Sequence, residues 1–298
     1  MNRSLAHVDY LAAGYLLLSG GLLVPNAGAG GLHAWILGAH LGGATALLCL
    51  QTVDLRATPW QTLRETYPIL LLLLLYLEVD LLARPFHEPP GYDALIRSWD
   101  AWLFGGHPHV GFAQWLDGRG WRELFHLLYV AYYLLLVGSF LGVRRAAPAQ
   151  FPRFAFVMTG MFVSFLLMFV AFPVAGPLAR PGVSPMTDGW FPQLVAWIYV
   201  PFQVNGIVTG AFPSSHVGMS VGIACLLAPR RWIWQLLLWG LVGGIVLSTV
   251  YGRFHYAIDA GAGLAAGAAL YLAWSALYAH LRRRASVGRR LARALRLF

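Results

Sequence analysis

Lysine is absent from this chain of 298 residues, and charged residues of all kinds make up only 11% of it. Because 58% of the residues are hydrophobic, too few polar side chains remain to cover a soluble domain, and the composition excludes a water-soluble globular protein. Cysteine is nearly absent as well. Cys49 and Cys225 lie far apart in apolar segments without metal-ligand spacing, and we expect both to pack inside a helical core.

Long apolar runs recur along the chain, most of them long enough to cross a hydrocarbon layer of roughly 30 Å. They lie near residues 9–24, 33–53, 66–84, 122–142, 154–175, 214–228, 232–250 and 256–280. The sequence therefore predicts an all-α polytopic membrane protein with about eight transmembrane helices. A cleavable signal peptide is the alternative for the first run, because small residues follow it.

Arginine supplies all 21 basic residues, and its distribution predicts how the helices are oriented. Fifteen arginines, including Arg144 and Arg145, fall on one side of the predicted helices, and six fall on the other. By the positive-inside rule the first side is cytoplasmic, so we expect an integral protein of the plasma or inner membrane with both termini in the cytoplasm. The formal charge of +9 then describes an arginine collar and not a nucleic-acid partner. The basic tail, 281–298, either binds anionic lipid or serves only as a topology signal.

Two long connections, about 85–121 and 176–213, lie on the side opposite this collar. In the first, Leu95, Trp99, Trp102 and Leu103 repeat at helical spacing, which predicts a helix lying in the membrane interface. The second carries WFPQLVAWIYVPF, another aromatic interfacial candidate. Neither connection has the composition of a soluble domain, so we treat the chain as one helical domain.

The segment GAFPSSHVGMS, residues 210–220, opens the sixth apolar run. Pro213 suits a first-turn position and Ser214 or Ser215 can cap, which places His216 in the first turn of a helix. The free N–H groups of such a turn favour an anion, so the segment predicts a site of phosphate size. An ordinary cap followed by a buried histidine is the alternative.

Three ionisable residues, Arg253, His255 and Asp259, stand in the most apolar part of the chain, within the stretch RFHYAID. Such groups at membrane depth indicate a functional site unless they are paired for structural reasons. His255 and Asp259 are four apart, so on a helix they share a face, and the carboxylate can fix the imidazole tautomer. The other ring nitrogen is then free as a nucleophile or base. A structural pair or a proton path is the alternative.

A third polar segment, LLARPFHEPPGYD, ends the third apolar run on the same side of the membrane. Arg84 can hold a phosphate oxygen, or it can be an arginine that extends to the interface. Glu78 and Asp80 lie in the same helix and can pair with Arg84 or with each other. Tyr132 and Tyr133, in the fourth run, are more typical of core packing than of a cavity wall.

These segments carry a resemblance to a known family. PSSH, followed by FHYAID, is similar to the second and third signature motifs of the type 2 phosphatidic acid phosphatase superfamily, and ARP is similar to the end of the first. EPPGYDALIRSWDAWLFGG, YVAYYLLL, FPVAGP and LSTVYGRFHYAID further resemble the branch that contains inositol phosphorylceramide synthase and its bacterial relatives. The resemblance covers roughly residues 66 to 280.

The resemblance implies a six-helix catalytic core in 66–280, preceded by two additional transmembrane helices in 1–65. It implies phosphoryl transfer that needs neither a metal nor a cofactor. Carried over by position, His255 attacks phosphorus to give a phosphohistidine, Asp259 orients His255, and His216 protonates the leaving oxygen. The active site is expected on the periplasmic or extracellular face. The side chains expected to bind the substrate phosphate are Arg84, Ser214, Ser215, Arg253 and Arg180.

Two positions depart from the family pattern. Leu77 stands where the first motif begins with lysine, and Thr249 stands where the third motif has an arginine before its histidine. Arg253, Arg180 or His87 can replace one of these cations. A site with fewer cations favours a phosphodiester, which carries one negative charge, over a phosphomonoester, which carries up to two.

The leading hypothesis is therefore an enzyme that transfers a head group from a membrane phosphodiester lipid, of the phosphoinositol type, to a lipid alcohol. Hydrolysis of lipid phosphates or polyprenyl pyrophosphates is the nearest alternative, because water and an alcohol need the same nucleophile. A lipid or proton-coupled transporter that uses the His, Asp and Arg cluster is the alternative from another class.

Overall fold

The computed structural model describes residues 5–27, 31–51, 58–87, 91–204, 209–228 and 231–294. Throughout these ranges the regular structure is helical, which confirms the predicted all-α class. The α-helices are α1 (Ala6–Ala27), α2 (Leu32–Cys49), α3 (Thr58–Ala83), α4 (Asp93–Phe104), α5 (Pro108–Trp115), α6 (Arg119–Ala146), α7 (Phe151–Ala171), α8 (Trp190–Val204), α9 (Ser215–Leu227), α10 (Trp232–Tyr251) and α11 (Ala257–Ala294).

Seven of the described helices are long and apolar enough to cross a membrane: α1, α2, α3, α6, α7, α10 and α11. Helix α9, which coincides with the predicted segment 214–228, has only 13 residues. At a rise of 1.5 Å per residue it is roughly 20 Å long, shorter than a hydrocarbon layer. The eight expected crossings are therefore seven helices of spanning length and one short helix, and the short one begins at the PSSH segment.

The core lies around α7, which is apolar on all sides and buried along most of its length. Large side chains such as Phe165, Phe169 and Met161 are fully buried there. Helices α1, α3, α9 and α11 pack around α7. Helix α2 lies at the periphery, where Cys49 is exposed, so the expectation that this cysteine packs in the core is wrong. Cys225 on α9 is partly buried.

Polar contacts join the first two helices to α3. Glu78 of α3 lies 2.6 Å from Nε2 of His40 on α2, and Ser19 of α1 lies 3.1 Å from the other ring nitrogen. Near the other end of α3, Arg64 pairs with Asp9 of α1. Glu78 therefore pairs with a histidine and not with Arg84, and His40 has partners that its sequence context did not reveal.

The predicted division into 1–65, 66–280 and 281–298 remains a prediction, and both of its boundaries fall inside helices. Helix α3 already begins at Thr58, and α11 continues to Ala294. Residues 295–298, the end of the predicted basic tail, lie outside the described residues. The arginines that open this tail are therefore carried on an extension of the last spanning helix.

Helix α4 matches the amphipathic helix expected in the first long connection. Its apolar side chains Leu95, Trp99, Trp102 and Leu103 are exposed, Trp102 to 84%. Its inward face carries Asp93, Ile96 and Asp100, all of which are buried. A helix with exposed tryptophans and buried carboxylates is the reverse of a helix on a soluble protein, and this arrangement suits the boundary between lipid and protein.

Candidate active site

Helix α9 begins one residue before His216. Ser214 is its N-cap, and the hydroxyl of Ser214 accepts a hydrogen bond from the backbone N–H of Val217 at 3.5 Å. His216 therefore lies in the first turn, as the sequence predicts. Pro213 lies one residue before the N-cap, so the expectation that it belongs to the first turn is wrong. The helix begins directly after Ser214, which caps it.

His255 lies in the turn between α10 and α11, two residues before α11 begins. Its placement on the helix itself was wrong. The backbone N–H of His255 donates to the carbonyl of Thr249 at 3.1 Å. Asp259, in the first turn of α11, places Oδ2 3.6 Å from Nδ1 of His255 and accepts the backbone N–H of Tyr256 at 2.8 Å. The carboxylate of Asp259 thus stabilises this turn by accepting a backbone N–H, and it also lies beside the imidazole of His255.

Small residues bring these two segments together. A Cβ on Gly267 of α11 would lie 2.6 Å from Cα of Gly218 on α9, and a Cβ on Gly263 would lie 2.5 Å from the carbonyl of Ser214. The helix backbones therefore touch where only glycine fits. The backbone N–H of Ser214 also donates to the carbonyl of Asp259 at 3.0 Å. The rings of His216 and His255 consequently meet edge to face, with centroids 5.8 Å apart.

Both histidines line a cavity of about 340 Å³. Its walls come from α3, α6 and α8, from the connection around residues 175–185, and from residues 209–211. The larger polar or charged side chains that line it are Tyr76, Tyr133, Arg180, Tyr199, His216 and His255. The cavity beside the two imidazoles is large enough for a phosphoryl group with part of its substituent.

Tyrosines surround His216. The hydroxyls of Tyr129 and Tyr133 lie 3.1 and 3.2 Å from Nε2 of His216, and the ring of Tyr132 packs against the imidazole with centroids 4.4 Å apart. Tyr133 lines the cavity, contrary to the expectation of core packing, whereas Tyr132 is buried behind His216. Tyr129 was not predicted; the spacing of tyrosines at 129, 132 and 133 along one helix face is the signal that could have indicated it.

Of the predicted phosphate ligands, Arg180 alone lines the cavity among the described residues. Arg84 pairs with Asp80 through Nε and Oδ2 at 2.7 Å and is half exposed, away from the cavity lining. Arg253 has a left-handed φ of 63° and a buried Nε without a hydrogen-bond partner, and it too lies outside the lining. Ser214 and Ser215 are buried beneath His216.

Neither of the two positions that depart from the family pattern lines the cavity. Leu77 is 62% exposed on the outer surface of α3, and its neighbour Tyr76 faces the cavity instead. Thr249 is buried, and its hydroxyl donates to the carbonyl of Val246 in its own helix. His87 packs against the ring of Tyr92 and does not line the cavity. Among the described residues, no group of three or more His, Cys, Asp or Glu could hold a metal ion.

Comparison with known protein families identifies a family for the part of the chain that contains this site. A protein-family model described as PAP2 superfamily matches residues 94–274, more than half of the chain. The match runs from α4 into α11, so it includes both histidines and Asp259 and excludes Arg84. No curated protein and no solved structure matched the chain.

Proposed function

The chain belongs to the PAP2 superfamily, and we propose that it transfers a phosphoryl-linked group from a membrane lipid to an acceptor through His255. Membership supports an enzyme of phosphatase or phosphotransferase type that acts on lipid phosphoesters. The observation that carries the proposal is that His216 and His255 line one cavity with their ring centroids 5.8 Å apart, and that Asp259 lies beside the imidazole of His255.

In the proposed first step, Nε2 of His255 attacks phosphorus and forms a P–N bond while the bond from phosphorus to the leaving oxygen breaks. Asp259 faces Nδ1 of His255, fixes the tautomer and stabilises the charge that develops on the ring. Their separation of 3.6 Å is longer than a hydrogen bond, and catalytic hydrogen bonds often shorten when substrate binds. The product of this step is a phosphohistidine and an alcohol.

His216 is the proposed general acid, and it gives its proton to the leaving oxygen. Tyr133 lines the cavity with its hydroxyl 3.2 Å from Nε2 of His216, which provides a hydrogen-bonded connection between the imidazole and the cavity. In the second step His216 takes a proton from the acceptor hydroxyl, which attacks phosphorus as the P–N bond breaks. The acceptor, a lipid alcohol or water, decides between a phosphotransferase and a phosphatase.

The cation content of the cavity favours a phosphodiester substrate. Arg180 is the only arginine among the described lining residues, while the positions of Leu77 and Thr249 lie outside the cavity. One fixed positive charge balances the single negative charge of a phosphodiester better than the two charges of a phosphomonoester. We therefore favour transfer of a head group, of the phosphoinositol type, to a lipid alcohol, as in the inositol phosphorylceramide synthase-like branch.

We also propose that the cavity opens on the periplasmic or extracellular face. The histidines lie near the ends of α9 and α11 that are opposite the arginines of α11, Arg282, Arg283 and Arg284. The positive-inside rule assigns those arginines to the cytoplasm. The tail that they open can then bind anionic lipid on the cytoplasmic leaflet.

The test is mass spectrometry of lipid products formed by the purified protein in lipid nanodiscs. The substrates are phosphatidylinositol with ceramide, or with diacylglycerol of a different chain length, as acceptor, and also phosphatidic acid, polyprenyl phosphates and polyprenyl pyrophosphates. His255→Ala is the blank, and His280→Ala, which changes an exposed histidine of the following helix α11, is the matched control. We expect a new lipid that carries the head group with the wild type and with His280→Ala, and none with His255→Ala.

Other outcomes assign the alternatives. Free phosphate from the monoesters alone would establish a phosphatase and refute the preference for phosphodiesters. Turnover that survives in His255→Ala would refute the proposed nucleophile. Movement of lipid across the bilayer without any change in its chemistry, in the wild type and in His255→Ala alike, would refute the enzyme and support a transporter.

A further inference from the structure

The buried carboxylates of α4 have no part in the proposed chemistry. Asp93 and Asp100 lie seven residues apart, two helical turns, and therefore on the same face of the helix. Asp100 is completely buried and Asp93 is 7% exposed. Between them Ile96 packs on Val174, Ala211 and Tyr256, so this face covers three segments that shape the active site. Buried carboxylates are costly unless they are hydrogen-bonded, which raises the question of what they hold.

Asp100 binds the start of α11. Its Oδ1 accepts the backbone N–H of Ile258, the second residue of the helix, at 3.0 Å. Asp259 accepts the N–H of Tyr256 at 2.8 Å, so two carboxylates, one from α4 and one from α11 itself, satisfy backbone N–H groups at the start of α11. The negative charge of Asp100 also lies at the positive end of the α11 dipole. The turn that this pair fixes carries His255.

The other oxygen of Asp100 faces a second histidine. Oδ2 lies 3.8 Å from Nδ1 of His109 on α5, and both residues are almost completely buried. The ring of His109 contacts the edge of Tyr256, the residue that follows His255, with centroids 5.2 Å apart. Helices α4 and α5 thus both contact the turn that carries His255 and the start of α11. The contact from α4 is made by the carboxylate of Asp100, and the contact from α5 by the imidazole of His109.

Asp93 holds the neighbouring connection. Its two oxygens accept the backbone N–H groups of Ala175 at 2.7 Å and Gly176 at 2.9 Å. Ala175 lines the cavity, and the left-handed Gly176 lies so close to the carbonyl of Phe254 that a Cβ would approach it to 2.6 Å. Burial raises the pKa of the Asp93 carboxyl, and the N–H groups of Ala175 and Gly176 oppose that shift. Asp93 thus stabilises the connection at Ala175 and Gly176, which packs against Phe254, the residue before His255.

We propose that Asp100 is a positioning residue: from α4 it fixes the first turn of α11 and thereby the distance and orientation of His255 relative to His216. Asp93 supports the adjoining connection in the same way. The inference rests on the proposed function, since it concerns the same histidines. It assigns to a helix at the membrane interface, outside the three signature motifs, a role in setting the geometry of the reaction.

The kinetic test compares Asp100→Ala with Asp100→Asn, whose amide oxygen can still accept the N–H of Ile258. We expect kcat of Asp100→Ala to fall by about 10- to 100-fold, because a misplacement of about 1 Å can cost 10²-fold, while KM stays within about threefold. Asp100→Asn is expected to restore most of the rate. The control is Asp117→Ala, because Asp117 is an acidic residue outside the cavity lining whose side chain is 65% exposed. Wild-type kcat in Asp100→Ala, or equal losses in the alanine and asparagine variants, would overturn the proposal.

A second readout keeps this test separate from the proposed function. Protein labelled with ¹⁵N-histidine in nanodiscs gives imidazole signals, and the signal lost in His255→Ala identifies His255. We expect Asp100→Ala to shift the His255 signal and Asp117→Ala to leave it in place. An unshifted His255 signal would overturn the positioning role whether or not any lipid is turned over. If Asp100→Ala is not recovered folded, Asp100→Ser, whose side chain is too short to reach Ile258, replaces it.

Discussion

A single methyl group at the crossing of α9 and α11 should separate the two histidines. In Gly267→Ala the added Cβ would lie 2.6 Å from Cα and from the carbonyl oxygen of Gly218, and ordinary contact begins at 3.4 Å. Because the obstructing atoms are backbone, the helices must move apart by about 0.8 Å. Gly218 lies two residues after His216, so this displacement reaches the proposed general acid directly.

The substitution should lower the rate while the protein stays folded. A shift of about 1 Å in a reacting group can cost on the order of 10²-fold, so we expect kcat to fall by roughly 10- to 100-fold. Overpacking costs about 1–3 kcal/mol, and the higher helix propensity of alanine returns up to about 1 kcal/mol. The variant should therefore remain folded with a modestly lower unfolding temperature.

The assay is steady-state turnover in nanodiscs, combined with thermal unfolding of the same preparations. Gly261→Ala is the matched control, because Gly261 lies on the same helix and a Cβ there would meet nothing within 4 Å. We expect wild-type kcat and unchanged or slightly higher stability in the control. Wild-type kcat in Gly267→Ala would refute the argument that this glycine contact sets the distance between His216 and His255.

Three further predictions follow from the site. Asp259→Asn should lower kcat by on the order of 10²- to 10⁴-fold through loss of the correct imidazole tautomer, with a smaller change in KM, and steady-state kinetics that match the wild type would contradict this role. The rate should be bell-shaped in pH, because His255 must be neutral and His216 protonated, and a rate that is flat from pH 5 to about 9 would count against two histidines. A chelator should leave turnover unchanged, and inhibition that added divalent metal reverses would show that a metal takes part.

The helices and the proximity of His255 to Asp259 could be predicted from sequence because they depend on local pattern. Apolar runs of about 20 residues define spanning helices regardless of their neighbours. The four-residue spacing of His255 and Asp259 brings them close even though His255 lies in a turn before α11. Ser214 caps α9 as its residue type predicts. These features do not depend on which helices pack against each other.

The partners of polar residues could not be predicted in this way. Arg84 pairs with Asp80, a partner that its own helix offered, but the sequence did not show that this pair lies outside the cavity lining. Glu78 pairs with His40 from a helix about 40 residues earlier in the chain. The tyrosines at the cavity come from three helices. The pair of Glu78 with His40 and the grouping of the tyrosines depend on the rotation and separation of helices distant in sequence, which the pattern of one helix does not specify.

By itself, then, the sequence determined that this protein spans a membrane and carries His216, His255 and Asp259 in segments that resemble family motifs, because hydropathy and short spacings act within single segments. The tertiary structure alone decided that Arg180 lines the cavity and Arg84 does not, that tyrosines surround His216, and that Asp100 holds the turn of His255. The physical reason is that these arrangements arise where separate helices cross, and glycines such as Gly218 and Gly267 fix how closely they approach.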